Sequence, residues 1–197
     1  MEALLTSTAV VAIAEIGDKT QLLAIVLAAR FRKPLPIVLG ILAATLLNHA
    51  LAAGFGYLIA QWLTGRTFQI VLGAAFVAMA AWALIPDKED EGAAQRSAGG
   101  VFLTTLVAFF LVEIGDKTQI ATSLLAAKFQ SVALVTVGTT AGMMLANVPA
   151  VFLGEVVTRI VPMKVVRTAA AVVFGVIGLW IILVAPDMPG MTNPSGL

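Results

Sequence analysis

The chain has 197 residues, 60% of them hydrophobic and 12% charged, with a formal net charge of +1 and a mean hydropathy of +1.01. A soluble domain carries roughly a quarter charged residues, so this composition belongs to a helical membrane protein, and no basic run suggests a nucleic-acid surface. Cysteine is absent, which excludes a disulfide framework, a thiolate metal site and a thiol redox couple.

Crossing ~30 Å of hydrocarbon takes about 20 largely apolar residues as helix. In chain order, the first predicted span covers 3–29. It has no basic leader before it and meets Glu15 and Asp18 where a signal peptide would end in small residues, so it reads as a membrane helix. Its centre is Glu15-Ile16-Gly17-Asp18-Lys19-Thr20-Gln21. A second span lies near 35–61, where His49 is the lone acidic or basic residue, and a third near 67–86. Asp87-Lys88-Glu89-Asp90-Glu91 and a Gly/Ala/Ser-rich stretch to Gly100 then form the linker-like segment. The fourth span, 100–127, centres on Glu113-Ile114-Gly115-Asp116-Lys117-Thr118-Gln119. The fifth covers about 131–158 and the sixth about 165–185.

The motif copies are identical and 98 positions apart, and Glu15–Phe31 matches Glu113–Phe129 at eleven of seventeen positions. Both halves end alike, at Ile85-Pro86-Asp87 and Ala185-Pro186-Asp187, and spans two and five each hold one Asn, Asn48 and Asn147. Three spans per half is an odd number, so the second copy enters the membrane from the opposite side, as in many secondary transporters. The expected fold is all-α: six transmembrane helices as two inverted three-helix repeats, 1–86 and 99–197, joined by an acidic cytoplasmic linker, 87–98. Arg30, Arg32, Lys33, Lys88, Arg96, Arg159, Lys164 and Arg167 fall on one side, and only Arg66 and Lys128 on the other. Positive residues favour the cytoplasm, so both termini are expected outside.

Ionisable groups at mid-membrane are costly and mark ion or proton pathways. On a continuous helix, positions i, i+3 and i+4 share a face. Glu15 with Asp18 and Lys19, and Glu113 with Asp116 and Lys117, would then point together into the bundle. Gly17 and Gly115 either admit a close neighbour or loosen the helix so that carbonyls become ligands. Gln21 and Gln119 can add neutral oxygen. Four carboxylates and two ammonium groups sum to −2 if all are ionised, a charge that one divalent cation or two protons would balance. Carboxylate and amide oxygens suit Mg²⁺, Ca²⁺ or Mn²⁺, and sodium stays open.

Bland readings stand beside these. Each motif alone fits a structural Asp–Lys pair, and Asn48 and Asn147 fit helix–helix hydrogen bonding as well as ligation. His49 reads as a packed histidine, since the second half has Val148 there by sequence. Glu155 with Arg159 reads as a surface pair, and Met143-Met144 as core filler. Gly138-x-x-x-Gly142 marks close helix packing, within one chain or between copies in a homo-oligomer.

The duplicated Glu-x-Gly-Asp-Lys-Thr signature resembles the small family of membrane cation/proton antiporters that includes bacterial manganese exporters and Golgi manganese/calcium transporters. Both copies match the family pattern Glu-hydrophobic-Gly-Asp-Lys/Arg-Ser/Thr in full, and the resemblance covers nearly the whole chain. It implies a cation site of Glu15, Asp18, Glu113 and Asp116, assisted by Gln21, Gln119 and the two Asn, with Lys19 and Lys117 tuning its charge. It also implies a bacterial inner-membrane protein, without cofactor, that exports Mn²⁺ against protons. The alternatives are a Ca²⁺/H⁺ antiporter, an exporter of small solutes and a non-transporting assembly subunit. An enzyme is not expected, because Thr20 and Thr118 lack a paired base.

Overall fold

A computed structural model describes residues 1–62, 65–85, 99–153 and 163–184. The acidic linker, Pro86-Asp87 and its counterpart in the second half, and the Glu155/Arg159 pair lie outside the described residues. Eight helices and no strand occur among those described: α1 Glu2–Glu15, α2 Lys19–Phe31, α3 Pro34–Trp62, α4 Gly65–Ala83, α5 Val101–Glu113, α6 Lys117–Phe129, α7 Val132–Leu153 and α8 Met163–Leu183. Helices α3, α4, α7 and α8 are each long and apolar enough to cross a membrane. Large apolar side chains such as Leu39, Leu46, Phe55, Ile70, Leu145 and Val176 point outward from them. In lipid such a surface is solvated, and the helix ladder keeps the backbone polar groups satisfied.

The predicted spans at 3–29 and 100–127 are not continuous helices. Each is broken at its motif into two helices of 13 or 14 residues, about 20 Å apiece at the helical rise. Gly17 and Gly115 adopt φ of 73° and 75°, the left-handed region where a Cβ is strained. Asp18 and Asp116 follow in extended conformation as the N-caps of α2 and α6. The face argument for a continuous helix therefore fails, and the break sets where each carboxyl points.

Each broken helix lies along the long helix of the other half. Leu4 and Ser7 of α1 meet Gly138 of α7, Thr8 and Val11 meet Gly142, and the Gln21 amide of α2 donates to the Ala146 carbonyl at 2.9 Å. Helices α1 and α2 thus run in file along α7. In the same way Phe102 and Thr105 of α5 meet Gly40 of α3, Asn48 donates to the Phe110 carbonyl at 3.1 Å, and Ser123 of α6 donates to the Ala52 carbonyl at 2.9 Å. A Cβ on Gly40, Gly138 or Gly142 would lie within 2.8 Å of a backbone oxygen of the facing helix. Small residues permit this approach, as is usual between membrane helices, and the Gly138/Gly142 pair is used within the chain.

Gly40 and Gly138, Phe102 and Leu4, and Thr105 and Ser7 are each 98 positions apart, the spacing of the motifs. The duplication therefore extends into packing. Helices α4 and α8 run antiparallel, with Arg66 near Ile182, Gly73 against Gly178 and Ala80 against Gly175. Phe76 and Phe174, also 98 apart, meet at the middle with ring centroids 6.4 Å apart.

Candidate metal centre

Both breaks come to one place. Glu15 and Glu113 are the last residues of α1 and α5 and are fully buried, and Asp116 at the start of α6 is 5% exposed. One carboxylate oxygen from each lies within 4.8 Å of the others. Helix C-termini favour cations and N-termini favour anions. The break thus sets carbonyl ends beside the two Glu and the positive end of α6 beneath Asp116.

The Lys19 ammonium is 2.7 Å from Asp116 Oδ1 and joins the first motif to the second. Thr20 donates its hydroxyl to Glu15 Oε2 at 2.7 Å. The Thr118 hydroxyl lies 3.1 Å from Glu113 Oε2 and 3.2 Å from Asp116 Oδ2, and its N–H caps the same Asp oxygen at 3.4 Å. These two threonines orient the carboxyls. Sequence reasoning weighed them only as nucleophiles; their place five residues after each Glu was the available signal.

The remaining predicted residues divide. Gln21 and Gln119 each accept the N–H of the motif glycine at 2.7 Å through Oε1, which secures the break rather than presenting that oxygen to the cluster. Asp18 is half-buried, lines the adjoining cavity and lies outside the cluster of three. Lys117 turns aside, donating to the Ile85 carbonyl at 2.6 Å and lying 5.9 Å from the Trp82 ring centre. Asn48 and Asn147 are buried and use their amide N–H groups on Phe110, and on Met143 through its carbonyl and its sulfur.

Among the described residues, the buried oxygens without a hydrogen-bond partner include Glu15 Oε1, Glu113 Oε1, Asn48 Oδ1 and Asn147 Oδ1. An orphaned polar atom in a buried site costs its full desolvation, a cost that a bound cation would relieve. Three carboxylates and Lys19 leave two negative charges when all are ionised. Beside the cluster is a cavity of about 230 Å³ whose walls include Glu15, Asp18, Asp116, Ala83, Arg167 and Ala170.

Buried carboxylates at two helix breaks, inside a bundle with an apolar exterior, define a membrane transporter of cations. The sequence pattern of the divalent cation/proton antiporter family GDT1 matches residues 3–91 and again 101–189. The chain belongs to that family of multi-pass membrane transporters. A Vibrio cholerae serotype O1 protein named "Putative manganese exporter" is 49% identical over 175 residues, covering 88% of this chain and 87% of the relative. No solved structure matches the chain.

Proposed function

We propose that this protein exports Mn²⁺ from the cytoplasm in exchange for protons. The observation that carries the reading is the buried cluster of Glu15, Glu113 and Asp116, with unpartnered oxygens on both Glu and on Asn48 and Asn147. The metal, as substrate, would take these oxygens, and Asp18 would receive it from the cavity. Its two charges offset the surplus of the cluster, and two protons on the same carboxyls do so when the metal has left. Metal and protons compete because ligands must be deprotonated to bind. The manganese assignment is supported by the name of the Vibrio cholerae relative. A Ca²⁺/H⁺ exchanger is the second reading, favoured by the all-oxygen donor set.

Each broken pair, α1–α2 and α5–α6, is read as one span, giving six spans in two inverted repeats, 1–86 and 99–197, about the linker 87–98. The antiparallel α4 and α8 support the inversion. The Lys/Arg bias supports a cytoplasmic linker and both termini outside, in what we read as a bacterial inner-membrane protein. A reporter active only outside the cytoplasm should be active when fused after Leu197 and silent in 87–98; the opposite pattern reverses the direction of transport. The test of function is metal uptake into proteoliposomes compared across Mn²⁺, Ca²⁺ and Mg²⁺. Mn²⁺ should move fastest, and equal indifference to all three would discard the proposal.

A further inference from the structure

The ends of α4 and α8 carry a contact that the transport reading does not use. A helix leaves its last carbonyls without intrahelical donors, and in a membrane such groups need another partner. The Arg66 guanidinium, at the start of α4, donates to the Ile182 carbonyl at the end of α8 at 2.6 Å and to Gln69 Oε1 at 3.0 Å. This end of the antiparallel pair is closed: Phe68, Gln69 and Leu72 are each at most 2% exposed. At the 98-residue spacing their counterparts are Val166, Arg167 and Ala170, and all three line the cavity. At the cavity end the carbonyl just past α4, that of Ile85, is held by Lys117 of the motif, not by a residue at the start of α8.

The two helix ends are thus capped in two different ways. Where the cap comes from the partner helix, the pair is shut; where it comes from the motif lysine, a cavity reaches the carboxylates. The position equivalent to Arg66 is Lys164 in the first turn of α8, and the equivalent of Ile182 is Leu84. Resting on the transporter reading, we infer that Arg66 is the latch of one gate and Lys164 of the other, and that Lys117 and Lys19 trade places as the gates exchange. In the opposite state Lys164 holds the end of α4, and Lys19 leaves Asp116 for the end of α8. Lys117 then returns from Ile85 to Asp18. The motif lysines would in this way tie occupancy of the carboxylates to which end is open.

The absence of cysteine makes the test direct. Ala170→Cys reports the cavity end and Leu72→Cys, its counterpart, the latched end, each read by labelling of the full-length protein in membranes with a bulky polar maleimide. Ala170→Cys should label and Leu72→Cys should be protected. Adding Arg66→Ala should shift the ratio of the two by about tenfold toward Leu72→Cys, the size expected for one lost charge-assisted hydrogen bond, and Arg66→Lys should restore most of it. Lys164→Ala should move the ratio the other way. Gel filtration and circular dichroism in detergent separate a shift of state from loss of fold. An unchanged ratio in folded Arg66→Ala overturns the latch. The labelling needs no transported ion, so a wild-type protein that moves no metal yet shows the shift would sink the transport reading and keep the latch.

Discussion

The two motif copies are identical in sequence and different in use. In the second, Asp116 is buried in the cluster, accepts from Thr118 and pairs with Lys19; in the first, Asp18 is half-buried and faces the cavity. Lys19 reaches across to the other repeat, whereas Lys117 reaches the Ile85 carbonyl. Identical residues take different roles because two repeats packed in one conformation meet two unlike surroundings. The flanking helices differ in bulk as well. Phe68 and Leu72 fill the end where Val166 and Ala170 leave a cavity.

The comparison breaks first at the aspartates. Asp116→Asn removes a cluster oxygen's charge and strands the Lys19 ammonium, and losing one partner of a buried pair is strongly destabilising. Transport should fall by about two orders of magnitude or more, on the scale of that penalty. Asp18→Asn should reduce it less, chiefly by weakening metal capture from the cavity. Initial Mn²⁺ efflux rates over a range of metal concentration check this, and equal loss in both variants would mean that the repeats are functionally symmetric.

The threonines give the smaller contrast. The single Thr118 hydroxyl proton is shared between Glu113 Oε2 and Asp116 Oδ2, and Thr118→Val keeps the N–H that caps Asp116 Oδ2, whereas the Thr20 hydroxyl proton goes to Glu15 Oε2 alone. At roughly 1–3 kcal/mol for a buried acceptor left unsatisfied, Thr20→Val should weaken Mn²⁺ binding by about tenfold, and Thr118→Val by no more than that. Calorimetric binding of Mn²⁺ to both variants tests the order.

Much of this was legible in the sequence. The duplicated motif located both Glu residues, and the apolar runs located α3, α4, α7 and α8. The breaks were not, because a glycine between apolar residues fits a continuous membrane helix as well as a left-handed turn. With the breaks went the position of Asp18 and the use of both Gln oxygens as acceptors for the motif glycines. Register was hidden too. Pairing the single asparagines equates Asn48 with Asn147, whereas the spacing that matches Gly40 with Gly138 sets His49 opposite Asn147. A slip of one residue turns a side chain by about 100° around the helix, and only contacts between helices reveal it. Met143, read as filler, is buried but also accepts from Asn147 through sulfur at 2.9 Å.

The central claim is that one divalent cation and two protons alternate on the same buried carboxyls. Proton release and Mn²⁺ uptake, counted together in proteoliposomes at several pH values and with the membrane potential clamped by potassium and valinomycin, test it most directly. About two protons should move against each Mn²⁺, the surplus charge of the cluster, and Mn²⁺ affinity should fall as pH is lowered because protons occupy its ligands. Changing the clamped potential should leave the rate unaltered. Mn²⁺ movement that follows the potential, carries no protons and ignores pH would contradict the account.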